Sequence, residues 1–163
     1  MLNTVKTLAG IGLALLFAGS MHAQGVVTQR NMSLGLAKTI AEAALGHCKA
    51  QGYNTSVAVV DRSGQLMVLL RDEEATPQTA EMAQRKAYTA RMFRRTTLDF
   101  QQRSTEDRYL PQRDISQILA LGGGVPIKVG DETIGGVGSA GSTQELDDAC
   151  AQAGVDKAAD MLK

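Results

Sequence analysis

The chain of 163 residues contains no tryptophan, only two histidines, two cysteines and three prolines. Without tryptophan, and with three tyrosines and three phenylalanines, it lacks the aromatic surface on which proteins stack single-stranded nucleic acids. Basic and acidic side chains number 17 each, so the formal net charge is zero. No excess of positive charge is present to attract nucleic acid or an anionic membrane. We therefore expect no nucleic-acid partner.

The first residues have the layout of a signal peptide. Lys6 precedes an apolar run from Leu8 to Ala18, and small and polar residues follow it up to Ala23. The run is too short to cross a bilayer, which needs roughly 20 apolar residues. We therefore expect residues 1–23 to be removed and residues 24–163 to form one domain, periplasmic or secreted, without membrane insertion.

Two cysteines, Cys48 and Cys150, lie near opposite ends of the chain that would remain after cleavage. In an oxidising compartment an even pair predicts a disulfide, although free buried thiols or a redox role are the alternatives. Each cysteine lies on the apolar stripe of a predicted helix. The two helices could therefore pack side by side on one face of a sheet.

The hydrophobic pattern predicts helices at both ends of the chain and β-hairpins between them. Three- and four-residue spacing, caps and breakers predict helices from Ser33 to Gly52, Thr76 to about Met92, Leu98 to Arg103, and Ser142 towards Lys163. Apolar and β-branched runs bounded by turn residues predict strands at 56–61, 66–71, 115–121, 127–129 and 133–139. Because helices and strands do not alternate as βαβ units, the class is α+β.

Two glycine-rich segments resemble nucleotide-binding motifs in their glycine pattern but lack the other residues that those sites require. The segment from Gly136 to Gly141 matches G-x-G-x-x-G, but a dinucleotide site needs a further parallel strand with an acidic residue, and the chain ends on the following helix. Close packing of a strand is the better interpretation. The triplet from Gly122 to Gly124 lacks the Lys and Ser/Thr of a phosphate loop, so we expect it to bend or approach another group closely. Ser139 is no nucleophile elbow, because Val137 occupies the first glycine position.

Three further features could bind ligands or be ordinary surface. His47 is the one histidine left after cleavage and so the candidate imidazole for a haem iron, yet its place at the margin of an apolar stripe also suits a partly packed, partly solvated side chain. The acids at 72–74 could bind a hard cation or be solvated. The basic stretch could meet carboxylates or a partner subunit, or form a solvated helix face; it comprises Arg85, Lys86, Arg91, Arg94, Arg95 and Arg103.

Two segments together resemble the GlcG/HbpS-like haem-binding family, which includes the C-terminal domain of PduO-type cobalamin adenosyltransferases. The first runs from Val59 to Gly64 and through Arg71 and Asp72 to residues 85–90. The second comprises residues 122–127 and 134–141. With the flanking helices, the resemblance covers nearly the whole chain after residue 23.

The resemblance implies a five-stranded antiparallel sheet with helices packed on its faces, similar to profilin, in a single domain that assembles into homo-oligomers. It implies binding of haem or a related tetrapyrrole. The alternatives are an enzyme that degrades haem or acts on a small carboxylic acid, and a structural or sensory partner protein. The resemblance identifies no residue of this chain as the ligand of the haem iron, because His47 lies outside both matching segments. The matching motifs place candidate ligand-binding residues at Arg71, Lys86, Gly122, Gly123, Gly124, Pro126 and Ser139.

Overall fold

The computed structural model describes residues 25–163, so the predicted signal peptide lies outside the described residues. The helices are α1 (Leu34–Ala50), α2 (Gln78–Phe93), α3 (Thr97–Arg103) and α4 (Gln144–Lys157). The strands are β1 (Ser56–Val60), β2 (Leu66–Arg71), β3 (Gly124–Val129) and β4 (Glu132–Ala140). Two short 3-10 helices span Leu110–Asp114 and Ala159–Met161. Within residues 25–163, no helix has the length and apolar character needed to cross a bilayer.

The strands form one antiparallel sheet in the order β2-β1-β4-β3. Both predicted hairpins, β1–β2 and β3–β4, are confirmed. They join through β1 and β4, where Ser56 lies opposite Ala140 and Val60 opposite Gly136. β4 is therefore a central strand, and β2 and β3 are the two edges.

The prediction of five strands is wrong, because the described residues contain four. The segment from Ile115 to Leu121 was expected to be extended, but Gln117 has φ +68°, which interrupts a strand. Its backbone groups bond to side chains of α2 instead of to a neighbouring strand. The carbonyl of Ile118 accepts from Arg85 Nη2 at 2.8 Å, and the N–H of Leu119 donates to Thr89 Oγ1 at 2.9 Å.

Helices cover both faces of the sheet. Side chains alternate along a strand, so Val57 and Val59 of β1 join the larger core with α1 and α4. Ala58 and Val60 point to the opposite face, where they pack against alanines of α2. The result is three layers, with α1 and α4 on one side of the sheet and α2 on the other.

The G-x-G-x-x-G segment is a closely packed strand, as the sequence predicted, and its packing partner is a helix. A Cβ at Gly136 would collide with the carbonyl of Ala87, and one at Gly138 with the carbonyl of Ala83. Both carbonyls belong to α2, which therefore lies unusually close to β4. Bare backbone at these positions is what allows the helix and the strand to approach.

A disulfide joins Cys48 of α1 to Cys150 of α4, with a Cα–Cα distance of 5.5 Å, which confirms the predicted pair. The helix starts are also largely as predicted. Ser33 caps α1 by accepting from the N–H of Leu36. The last helix was predicted from Ser142; its cap is the next residue, Thr143, which accepts from the N–H of Leu146.

Candidate functional site

Three of the predicted ligand-binding residues, Lys86, Gly123 and Ser139, meet between α2, β4 and α4. Lys86 is 1% exposed. Its ammonium donates to Asp147 Oδ2 at 2.7 Å and to the carbonyl of Ser139 at 2.9 Å. A buried ammonium is costly unless it is paired and hydrogen-bonded, and Asp147 is that partner. We call Lys86, Ser139, Ser142 and Asp147 the buried lysine cluster.

The carboxylate of Asp147, 2% exposed, is also satisfied. Its Oδ1 accepts from Ser142 Oγ at 2.7 Å, from the Ser142 N–H at 3.2 Å and from Ser139 Oγ at 3.4 Å. Burial lowers the pKa of Lys86, while the charge of Asp147 and its hydrogen bond raise it in opposition. The ammonium of Lys86 is therefore a buried positive charge that is balanced by the carboxylate of Asp147.

The glycine triplet, residues 122–124, packs directly against the buried lysine cluster. The N–H of Gly122 donates to Gln144 Oε1 at 2.9 Å, and the carbonyl of Gly123 accepts from the N–H of Ser139 at 2.8 Å. Gly123 has φ +118°, and a Cβ there would lie 2.6 Å from Asp147 Cβ and 2.8 Å from Lys86 Nζ. Position 123 therefore admits only glycine. The expectation of a sharp bend and a close approach is confirmed.

Asp148 and the disulfide border the cluster. The Cys48 sulfur lies 3.6 Å from Ser139 Oγ. Asp148 is partly buried, and its Oδ1 has no hydrogen-bond partner within residues 25–163. Burial raises the pKa of Asp148, against the opposing effects of a hydrogen bond with the Gly123 backbone and of the Lys86 charge. This end of β4 thus concentrates buried charge in a closed, cross-linked environment.

The remaining predicted site residues lie outside the cluster. Arg71 ends the edge strand β2 and donates to the carbonyl of Ala75. Pro126 is on the other edge strand, opposite Gly136. His47 is partly exposed in the last turn of α1. The structure therefore joins Lys86, the glycine triplet and Ser139, and separates them from Arg71, Pro126 and His47; contact of any of them with a ligand stays a prediction.

A groove of about 600 Å³ opens on the surface between α2 and the segment that follows the first 3-10 helix. Ile115, 53% exposed, is its apolar side chain. Arg85 donates to the carbonyl of Ile118, and its Nε is buried without a partner among the described residues. Arg113 donates to the carbonyls of Gln101 and Ser104. The lining, here called the α2 groove, comprises Glu81, Gln84, Arg85, Arg113, Asp114, Ile115, Ser116 and Gln117.

The two places suit different chemistry. The buried lysine cluster is closed and its charges are paired, so its evident role is to fasten α2 to α4 and β4. The α2 groove is open, has a volume typical of small-molecule sites and carries two guanidinium groups. Guanidinium is the side chain that best matches a carboxylate geometrically. Two carboxylates, Glu81 and Asp114, also line the groove, and Glu81 Oε1 lies 3.6 Å from Arg85 Nη1. The groove can therefore hold a polar, partly apolar molecule whose anionic groups meet the guanidinium groups.

Sequence reasoning missed Asp147 and most of the α2 groove. Asp147 precedes Cys150 by three positions, so it lies on the buried face of α4, and a carboxylate there signals a buried basic partner. The groove residue Ile115 begins the segment wrongly predicted as a strand, and Arg113 lies just before it in the first 3-10 helix.

The acidic side chains of Asp72 and Glu74 accept hydrogen bonds from neighbouring side chains. Asp72, buried, accepts from Lys49 Nζ at 2.7 Å, and Glu74 accepts from Asn54 at 2.8 Å. The hydrogen bond from Lys49 lowers the pKa of Asp72. Across the described residues, no group of three or more His, Cys, Asp or Glu side chains is placed to hold a metal ion.

Comparison with known proteins gives the family. The family model described as haem degrading protein HbpS-like matches residues 32–156. This chain belongs to the HbpS-like haem-binding family. Protein GlcG of Escherichia coli K12 is 31% identical over 107 residues, which are 66% of this chain and 79% of GlcG.

Two solved structures show the same fold and support the family. A crystal structure of HbpS is 31% identical in sequence and superposes with a TM-score of 0.78. The superposition includes 91% of this chain and 97% of the HbpS chain. A crystal structure of a PduOC:haem complex is 25% identical, covers 77% of this chain and 94% of its own, and gives a TM-score of 0.69. The family resemblance inferred from the sequence is thereby confirmed.

Proposed function

We propose that this protein is an exported haem-binding or haem-accessory protein, with a related tetrapyrrole as the alternative ligand. The observation that carries the proposal is the likeness to a family member whose structure is a haem complex. The disulfide between Cys48 and Cys150 supports export, because such bonds persist in oxidising compartments.

The α2 groove is the place where we propose that the porphyrin binds. Arg85 of α2 and Arg113 of the first 3-10 helix lie on the two walls of the groove and would each meet one propionate, and Ile115 offers an apolar contact to the ring. The buried lysine cluster, by contrast, has no space for a planar ring between Lys86 and its partners.

The side chains of the groove suit the propionate edge of haem better than they suit ligation of the haem iron. Among its lining residues there is no His, Cys, Met or Tyr, the side chains that usually ligate haem iron. Haem itself would supply redox and oxygen chemistry, while these residues would hold the propionates and shield one face. His47 stays the candidate imidazole from the sequence, and it does not line this groove.

A Soret titration of the purified protein with haemin tests the proposal. We expect saturable binding at a fixed stoichiometry, a weaker affinity in Ile115→Asp, and unchanged affinity in Met161→Asp. Met161 is a matched control because it is 52% exposed and lies outside the groove. Absence of saturable binding in the wild type would refute the function. Equal binding by wild type and Ile115→Asp would refute the site. A His47→Ala variant run beside them reports whether an imidazole ligates the iron.

Haem degradation is the second candidate, favoured by the description of the matched family. A degrading enzyme would bleach its Soret band when reductant and oxygen are supplied, and would release a linear tetrapyrrole. A binding protein would keep the band. Following the band over several equivalents of haemin, with catalase present to remove peroxide, separates turnover from non-enzymatic bleaching.

We also propose that the protein forms homo-oligomers, and the two sheet edges support this. β3 carries Pro126 and Lys128, which discourage strand addition, whereas β2 exposes Leu66 and Leu69. An apolar edge strand of this kind suits pairing with a second copy. Light scattering after size exclusion should report an oligomer in the wild type and a smaller species in Leu69→Lys; a monomeric wild type would contradict the proposal.

A further inference from the structure

A second basic cleft lies at the opposite end of β4 from the buried lysine cluster. It is formed where α2 ends, where the chain leaves β1, and where the β3–β4 turn enters β4. Its volume is about 330 Å³, at the lower limit for small-molecule sites. The lining, here called the arginine cleft, comprises Arg62, Arg91, Met92, Arg94, Asp131, Glu132 and Thr133.

Two residues that line this cleft each carry a buried polar atom without a partner. Arg91 Nε, from α2, and Thr133 Oγ1, from β4, have no hydrogen-bond partner anywhere in the described chain. Nearly all buried polar atoms in native proteins are hydrogen-bonded, so an exception needs an explanation. Here the two residues come from separate elements and line the same cleft, so one molecule bound between them could satisfy both polar atoms after a small rotation of the two side chains.

The charges in the cleft are unevenly compensated. Arg62 forms an ion pair with Glu132, which also attracts Arg30. Arg91 and Arg94 form no salt bridge with any residue from 25 to 163. Burial lowers the pKa of Arg91, and the nearby charges of Arg62 and Arg94 lower it further. Three arginines line the cleft against two carboxylates, Asp131 and Glu132, so one positive charge is left that a bound anion would neutralise.

We propose that the arginine cleft binds a small oxyanion, a carboxylate or a phosphate, through the guanidinium groups of Arg91 and Arg94 and the hydroxyl of Thr133. Guanidinium presents paired donors that match the two oxygens of such a group. The hydroxyl of Thr133 can donate to a third acceptor or to the second oxygen. The site is separate from the α2 groove, so it does not depend on the proposed haem function.

The test follows the Arg91 Nε–Hε signal by nitrogen-15 NMR while the haem-free protein is titrated with sodium acetate and, separately, sodium phosphate. Sodium chloride keeps the ionic strength constant. We expect a saturable shift of that signal, which its loss in Arg91→Lys assigns. The anion with the lower dissociation constant identifies the class as carboxylate or phosphate.

Two variants distinguish a built site from general charge attraction. Thr133→Val keeps the side-chain shape and should weaken oxyanion binding roughly tenfold, since it removes one hydrogen bond to a charged group. Arg95→Lys is the matched control, because Arg95 follows Arg94 and is paired with Asp99; it should bind as the wild type does. Shifts that stay linear with both anions, or equal affinity in Thr133→Val, would overturn the proposal.

Discussion

A basic side chain of α2 reaches each end of β4, fully buried at one end and partly buried at the other. At the C-terminal end of the strand, Lys86 is enclosed and paired with Asp147. At the N-terminal end, Arg91 borders an open cleft with its Nε unpartnered in the described chain. A buried cation whose counter-ion belongs to the same chain fastens the fold. A partly buried cation without one is available to a ligand.

The largest expected effect comes from breaking the buried pair at the closed end. Lys86→Ala or Asp147→Ala alone should lower the free energy of unfolding by about 3–5 kcal/mol, because each leaves an uncompensated buried charge. The double variant Lys86→Met/Asp147→Leu should lose far less than the sum of the single losses. Urea unfolding of the three variants measures this. Single losses below about 1 kcal/mol would show that the pair is not buried in solution.

The disulfide at the closed end should have the next effect. Cys48→Ser/Cys150→Ser releases a link between residues 102 positions apart. We expect a loss of about 2–5 kcal/mol, because the unfolded chain regains the freedom that the loop removed. Thermal unfolding of the double variant, compared with the wild type before and after reduction, measures it. Reduction should have no further effect on the variant, and an unchanged midpoint in the reduced wild type would contradict the expectation.

A methyl group added to β4 where it touches α2 should push the helix away from the sheet and so disturb both ends of β4. Gly138→Ala would press a Cβ into the backbone of α2, and we expect a loss of about 1–3 kcal/mol in the free energy of unfolding. Gly46→Ala is the control, because nothing lies within 4 Å of a Cβ there and the residue is inside α1. It should gain roughly 0.5–1 kcal/mol. Equal effects at the two positions would argue against close α2–β4 packing.

The smallest effect concerns pH. Because burial raises the pKa of Asp148 above its ordinary 3.8, the folded protein binds that proton more tightly than the unfolded chain does. Stability contributed by the protonated form is therefore lost as pH rises from about 3.8 through the folded pKa. Asp148→Asn should remove this loss, so its stability relative to the wild type should grow between about pH 4 and pH 7. Urea unfolding across that interval measures it; a constant difference would contradict a raised pKa.

Local features of the fold could be predicted from the sequence, and contacts between distant segments could not. The caps of α1 and α3 and both hairpins follow from residues close together in the chain. Ile115 to Leu121 resembled a strand because apolar content alone does not show that Arg85 and Thr89 will take up its backbone groups. The disulfide was predictable from the even number of cysteines and the expectation of an oxidising compartment.

The candidate site was predictable in part. The matching motifs contain Lys86, the glycine triplet and Ser139, which do converge. Their counter-ion, Asp147, lies 61 positions from Lys86 in a segment outside both motifs, so nothing local paired the two residues. The α2 groove depends on the position of one irregular segment against a helix, a property of the folded chain only.

The measurement that tests the account most directly is a haemin titration of the double variant Lys86→Met/Asp147→Leu beside the wild type and Ile115→Asp. Circular dichroism and thermal unfolding first establish that the double variant is folded. We predict that it binds haemin with wild-type affinity and stoichiometry, while Ile115→Asp binds more weakly, because our proposal puts haem in the α2 groove and gives the lysine cluster a structural role. A folded double variant that has lost haem binding, beside an unaffected Ile115→Asp, would contradict the account and place the ligand at the buried lysine cluster.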